Sequence, residues 1–198
     1  MDKIFTDIYE NSTWGYNNNN NYNGCSGSGS SINYNIHNYI PFLKNYIIKN
    51  NIKSIVDLGC GDFLCGPLIY NDLNISYFGY DIYDKIINFN QKQHSNYTFI
   101  TSNFYNDKEN LKTADLCILK DVLQHWPLNY IYSFLDYIVQ SKKYKYILIC
   151  NCCNQYKNNT DINIGSWRAL NSKFLPLKKY SPIRLGFYNT KELSVIIS

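Results

Sequence analysis

The sequence predicts an α/β protein built on a doubly wound sheet of mostly parallel strands, and three observations carry that prediction. Between residues 53 and 150, strand-like and helix-like segments alternate. Two strand segments, ADLCILKD (114–121) and KYKYILIC (143–150), are nearly continuous apolar runs, as expected of strands covered on both faces. The first strand, KSIVDLG (53–59), runs directly into Gly59-Cys60-Gly61, where two closely spaced glycines allow a tight turn.

The elements follow in order. Residues 1–32 are polar and interrupted, with an Asn run at 17–21 that reads as a loop expansion, followed by CSGSGSS at 25–31. From Asn38 to Lys49, Tyr39, Phe42, Leu43, Tyr46 and Ile47 recur at helical spacing, with Pro41 tolerable in a first turn. After the strand at 53–59, residues 62–71 read as a short helix that Gly66-Pro67 weakens. SYFGYDI (76–82) is a strand, YDKIINFNQKQ (83–93) a helix and NYTFITS (96–102) a strand. Pro127 opens a helix with Ile131, Phe134, Leu135 and Ile138 on one stripe. Beyond Cys150 the chain is rich in loop residues until a last strand at 191–198. Residues 1–198 read as one domain: an N-terminal segment to residue 50, a core at 51–150 and a C-terminal segment at 151–198.

Composition excludes several classes. With 198 residues, 45% hydrophobic and 17% charged, the bulk of the chain is not disordered. The net charge of +4 is spread out, and only Arg168 and Arg184 are arginines, which argues against a nucleic-acid partner. No run approaches the roughly 18 apolar residues a membrane span needs. The first residues are charged and show no apolar leader. Seven cysteines, an odd number with no scaffold spacing, point to a reducing cytoplasm. Cys150, Cys152 and Cys153 lack the paired spacing and His partners of a zinc site, so no metal is expected.

The sharpest feature is Asp57-Leu58-Gly59-Cys60-Gly61-Asp62-Phe63. Asp81, 22 residues past Gly59, ends the next strand, close to the spacing of a carboxylate that holds a ribose diol. A dinucleotide fingerprint needs a third glycine where Leu64 stands, and Asp62 would repel a pyrophosphate. A P-loop is excluded because no Gly-Lys-Ser/Thr occurs. A ribose-bearing cation fits better, and S-adenosylmethionine is such a ligand.

VDLGCGD, GYDI and LKDVLQHWP, occurring in that order, resemble the motifs of class I S-adenosylmethionine-dependent methyltransferases over about residues 25–150. SGSGS followed by NYIPFL is similar to a subgroup of small enzymes in that family. The resemblance implies a seven-stranded, Rossmann-like sheet with one antiparallel strand near the C-terminus. It implies a cofactor site at Asp57, Gly59, Cys60, Gly61, Asp81, Ile82, Asn103, Phe104 and Lys120, with S-adenosylhomocysteine as product. Gly59 and Gly61 would approach the methionine tail, Asp57 would organise it and Asp81 would bind the ribose hydroxyls. Asn103 stands where the family often has an Asp near the adenine amino group, and Phe63 stands at a common third glycine. The segment after Cys150 is also shorter and richer in loop residues than the family's.

Lys120-Asp121-Val122-Leu123-Gln124-His125-Trp126 lies where ligands of open α/β sheets bind, at a strand's carboxyl end. His125 suits a general base near neutral pH, and Asp121 is the other catalytic candidate, as orienting group or base. First-turn packing and helix capping are the competing roles. Trp14, Trp126 and Arg168 are candidate substrate contacts, with Tyr22 and Trp167 as further members of an aromatic wall. The 26–30 segment reads either as a lid or as a flexible linker. The expected activity is methyl transfer to oxygen of a small polar acceptor such as a sugar or nucleotide sugar. A protein or RNA acceptor and a silent cofactor-binding subunit are the alternatives. No membrane partner is expected.

Overall fold

The computed structural model describes residues 1–16, 24–153 and 159–198, and its backbone divides into two units, Met1–Phe104 and Tyr105–Ser198.

In the N-terminal unit, helix α1 (Asp2–Glu10) buries Phe5 and Tyr9, four residues apart on one face. A 3₁₀ turn (Ser28–Ser30) leads into α2 (Ile32–Asn35) and α3 (Tyr39–Lys49), which buries Leu43 and Ile47. Next come β1 (Ser54–Leu58), α4 (Gly66–Tyr70), β2 (Ser76–Asp81), α5 (Asp84–Gln93) and β3 (Thr98–Thr101). The strands are parallel in the order β3-β2-β1. Their register sets Leu58 beside Tyr80, so β1 and β2 finish level and the residues after each emerge together.

Two expectations need correction here. The polar segment 1–32, for which no element was expected, contains α1, whose apolar stripe is short and sits among polar residues. The helix expected from residue 62 starts only at Gly66, because Phe63 takes a left-handed backbone (φ 54°) and residues 62–65 are spent on the turn. The Phe63 ring turns inward onto Tyr77 and Phe99, each with centroids 5.0 Å away. It lies so close over Gly66 that a Cβ there would sit 2.2 Å from the ring.

The C-terminal unit holds β4 (Ala114–Lys120), α6 (Leu128–Gln140), β5 (Tyr144–Cys152), β6 (Ile183–Tyr188) and β7 (Lys191–Ile197). Its strand order is β4-β5-β7-β6. β4 and β5 are parallel, while β7 runs antiparallel to β5 and to β6, the single reversed strand that the resemblance implied. Helix α6 follows Pro127 and buries Ile131, Phe134, Leu135 and Ile138, the stripe read from the sequence. Strand β6 was not legible: Pro182 and Gly186 masked it, its residues are mostly half-exposed, and its pairing slips between Arg184 and Gly186. No helix among the described residues is long and apolar enough to cross a membrane.

Candidate functional site

In the N-terminal unit the turn after β1 is held from every side. Gly59 and Cys60 donate their N–H groups to the Tyr80 carbonyl at 2.8 and 3.0 Å, which ties the turn to the end of β2. Gly59 and Gly61 have φ of 79° and 54°, the left-handed region that glycine enters at little cost. The Gly61 N–H donates to Asp81 Oδ2 at 3.0 Å, and the Asn90 amide donates to the Gly61 carbonyl at 2.7 Å.

The Asp81 carboxylate is the centre of this arrangement. Besides Gly61, the N–H groups of Ile82 (2.8 Å) and Tyr83 (3.3 Å) donate to its Oδ1. Burial pushes its pKa up, the three N–H groups pull it back and Asp62 raises it further, so that it settles at about 6. Asp57 accepts from the Tyr77 hydroxyl at 2.8 Å. Asp57, Asp62 and Asp81 thus cluster at a turn where no Lys or Arg occurs from Asp57 to Asp84. Cys60 shares this setting: burial and then the nearby carboxylates push its thiol well up, so it stays protonated.

The Ser-Gly segment is seated on this turn. Ser26 N–H donates to Asp62 Oδ2 at 3.1 Å, and Asp62 N–H donates to Ser26 Oγ at 2.8 Å. The Asn35 amide holds the Gly29 and Ser31 carbonyls at 3.0 and 2.7 Å. Ser26 belongs to the 26–30 segment singled out in the sequence, whereas Asn35 and Asn90 were missed, because a polar residue that serves a distant turn carries no local pattern. Asn103 donates to the Asp2 carboxylate of α1, and Phe104 is buried at the end of the unit. Trp14 is half-buried and packs edge-on against Tyr9, which stacks on Tyr83 with centroids 4.7 Å apart. Tyr22 lies outside the described residues.

In the C-terminal unit the end of β4 carries a charge cluster. Asp121, with φ of 60°, accepts from Lys120 Nζ at 2.7 Å and from Lys191 Nζ. Burial alone would raise the Asp121 pKa, but the two ammonium groups hold it below the usual range. Lys191, whose side chain is 2% exposed, was missed as a partner because it lies 70 residues away in β7.

His125 is buried in the 3₁₀ turn that follows. Its Nδ1 lies 3.0 Å from the Ser166 carbonyl, which only accepts, so Nδ1 carries the proton and Nε2 the lone pair. The Gln124 amide nitrogen faces Nε2 at 3.4 Å, and Gln124 Oε1 accepts from Cys152 N–H at 2.8 Å. Burial holds His125 below its ordinary pKa despite the Ser166 carbonyl, so the ring is neutral at pH 7.

The Trp126 ring, expected at a substrate wall, is core: it is 2% exposed and packs against Tyr105 and Phe134. Its backbone carbonyl faces Arg168 and accepts from Nη1 at 2.7 Å. Arg168 is itself buried, whereas Trp167 is 58% exposed. All seven cysteines are free thiols, and Cys150 is buried against the Tyr188 hydroxyl. Among the described residues, no group of three or more His, Cys, Asp or Glu is placed to hold a metal.

No protein-family model matches the chain, and no curated protein matches it in sequence. Solved structures do match in shape. Magnesium protoporphyrin IX methyltransferase from Synechocystis PCC 6803, with bound SAH, superposes with a TM-score of 0.67. That match covers 100% of this chain and 99% of the other at 10% identity. The methyltransferase domain of bacterial CtHen1 gives 0.61 at 14% identity, over 80% of this chain and 97% of that one. The chain has the methyltransferase fold. Human N-acetylserotonin methyltransferase, in complex with SAM, shares that methyltransferase fold at a TM-score of 0.57 and 16% identity, over 86% of this chain and 57% of its own. Within the methyltransferase fold, the expected elements stand in sequence order, with β7 as the reversed strand.

Proposed function

We propose that the protein is an S-adenosylmethionine-dependent methyltransferase that acts on an oxygen of a small polar acceptor in the reducing cytoplasm. The observation that carries this reading is the all-acidic turn joined to a buried carboxylate. Asp57 and Asp62 favour a cationic ligand over a diphosphate, and Asp81 at the end of β2 would accept from vicinal hydroxyls. Complexes of similar shape are described as binding SAM or SAH, which agrees with this chemistry. The cofactor would supply a methyl group already activated on a sulfonium; the chain supplies alignment and a proton acceptor.

For the proton acceptor, the observations favour His125 over Asp121. Its ring is neutral at physiological pH and its tautomer leaves Nε2 basic, whereas Asp121 is committed to two ammonium groups.

Saturating S-adenosylhomocysteine, at about 100 times its Kd, is expected to stabilise the folded protein by about 2.7 kcal/mol, read as a higher Tm. NADH and ADP are expected to leave Tm unchanged. Stabilisation by NADH, or none by S-adenosylhomocysteine, would overturn the proposal. The same ligand gives a pH test. Asp81 is ionised above pH 6, so affinity should be level from pH 7 to 8. It should fall as pH drops through about 6, by at most tenfold per unit. In Asp81→Asn the titration should be weaker and flat across that range. A wild-type affinity that holds level down to pH 5 would remove Asp81 from the ribose contact.

A further inference from the structure

Among the described residues, Arg168 is the buried cation of the C-terminal unit that forms no ion pair. Its side chain sits in the loop that precedes β6, and the residue is 5% exposed. Nη1 reaches the Trp126 carbonyl at 2.7 Å, yet Nε and Nη2 are buried and meet no acceptor among the described residues. The other buried cation of the unit, Lys191, is matched: it shares Asp121 with half-buried Lys120. Asp161 is the nearby carboxylate that acts on Arg168, but it forms no ion pair with it. Its Oδ1 already accepts from the N–H groups of Leu128 and Ile162, at 2.8 and 2.9 Å. A guanidinium buried without a counter-charge is costly, and two N–H groups on one planar edge match the two oxygens of a carboxylate or phosphate.

A second observation falls in the same neighbourhood. Asn151, 2% exposed near the end of β5, has neither its amide nitrogen nor its oxygen partnered among the described residues. Its neighbour Cys152 and the backbone of Arg168 are both anchored on Gln124, through Gln124 Oε1 at 2.8 Å and the Gln124 carbonyl at 3.1 Å. Gln124 therefore joins the backbone of Arg168 to the strand end that carries Asn151. It is also the neighbour of His125, whose ring feels the charges of Lys191 and Arg168.

We infer that Arg168, helped by Asn151 at the end of β5, binds an oxyanion carried by the methyl acceptor, so that the acceptor is an anionic small molecule such as a sugar acid or a sugar phosphate. This rests on the methyltransferase reading for the word acceptor, but the anion site itself can be tested without any cofactor.

The probe is inorganic phosphate, titrated in a chloride buffer at constant ionic strength and read as Tm. Wild type and Arg184→Gln, whose arginine pairs with Glu192 of β7, are expected to show the same saturable rise. Arg168→Met is expected to lose it, with affinity for phosphate at least tenfold weaker, while its far-UV spectrum and cooperative melting persist. Asn151→Leu provides a second variant and should weaken phosphate several-fold. No saturable response in the wild type, or an unchanged one in Arg168→Met, would overturn the inference. S-adenosylhomocysteine affinity separates the sources of the anion. It should be unaltered in Arg168→Met, and a tenfold loss there would assign the guanidinium to the cofactor's own carboxylate and overturn the acceptor site. Failure of the wild type to bind S-adenosylhomocysteine would sink the methyltransferase reading and leave the phosphate result standing.

Discussion

Gly61→Ala is expected to abolish the S-adenosylhomocysteine-induced rise in Tm and to destabilise the protein by about 2–4 kcal/mol. The estimate combines a left-handed backbone position, worth about 1–2 kcal/mol for a residue with a Cβ, with an overpacking term of similar size. A Cβ at Gly61 would lie 2.3 Å from Ser26 Oγ and 3.0 Å from Ser26 Cβ. Ser26 cannot simply rotate away, because Asp62 holds both its hydroxyl and its N–H. Nor can the turn recede, since Asp81 and Asn90 hold the two backbone groups of Gly61. The added methyl group must therefore disturb either the seated segment or the Asp81 carboxylate, and both belong to the proposed cofactor site. Adding Ser26→Gly to the alanine variant removes the obstructing atoms and should restore part of the binding. A Kd for S-adenosylhomocysteine within twofold of wild type in Gly61→Ala, measured by calorimetry, would show that the turn is not the binding element.

The second large effect is expected from Asp121→Ala. Lys191 is buried in β7 with its ammonium on Asp121 Oδ1, and Lys120 shares the other oxygen at 2.7 Å. Removing the carboxylate leaves a buried ammonium with its main counter-charge gone, a change that costs about 3–5 kcal/mol in comparable pairs. For a chain of this size that corresponds to a fall in Tm of roughly 10 °C. The double variant Asp121→Ala/Lys191→Met removes both charges and should recover most of the loss, since an apolar replacement of a buried pair is often neutral. A fall of under about 1 kcal/mol in the single variant would mean that Lys191 finds another partner or water. Stability and turnover can then be separated: a stable double variant that lacks activity would give Asp121 a chemical role beyond holding Lys191.

Why some of this was legible beforehand follows from where the determining interactions lie in sequence. The strands and α6 declare themselves through local periodicity, as Ile131, Phe134, Leu135 and Ile138 do. The turn after β1 is likewise local, because two glycines within three residues leave few alternatives. The residues that finish the site act across long separations: Ser26 on Asp62 over 36 residues, Asn90 on Gly61 over 29 and Lys191 on Asp121 over 70. A serine or asparagine in such a role looks like any surface serine or asparagine. Trp126 fails in the opposite direction: a tryptophan beside a candidate base suggests a substrate platform, but its size makes it worth more in the core, among Tyr105 and Phe134.

The ring of Phe63 over Gly66 has a consequence for how this turn can change through descent. The two positions form one lock: while the aromatic occupies the space, nothing larger than hydrogen fits at 66. A lineage that sheds the ring first would leave a hole among Tyr70, Tyr77 and Phe99 before any side chain arrived to fill it. Drift at either site alone is thus blocked, and the pair should be inherited together or exchanged together.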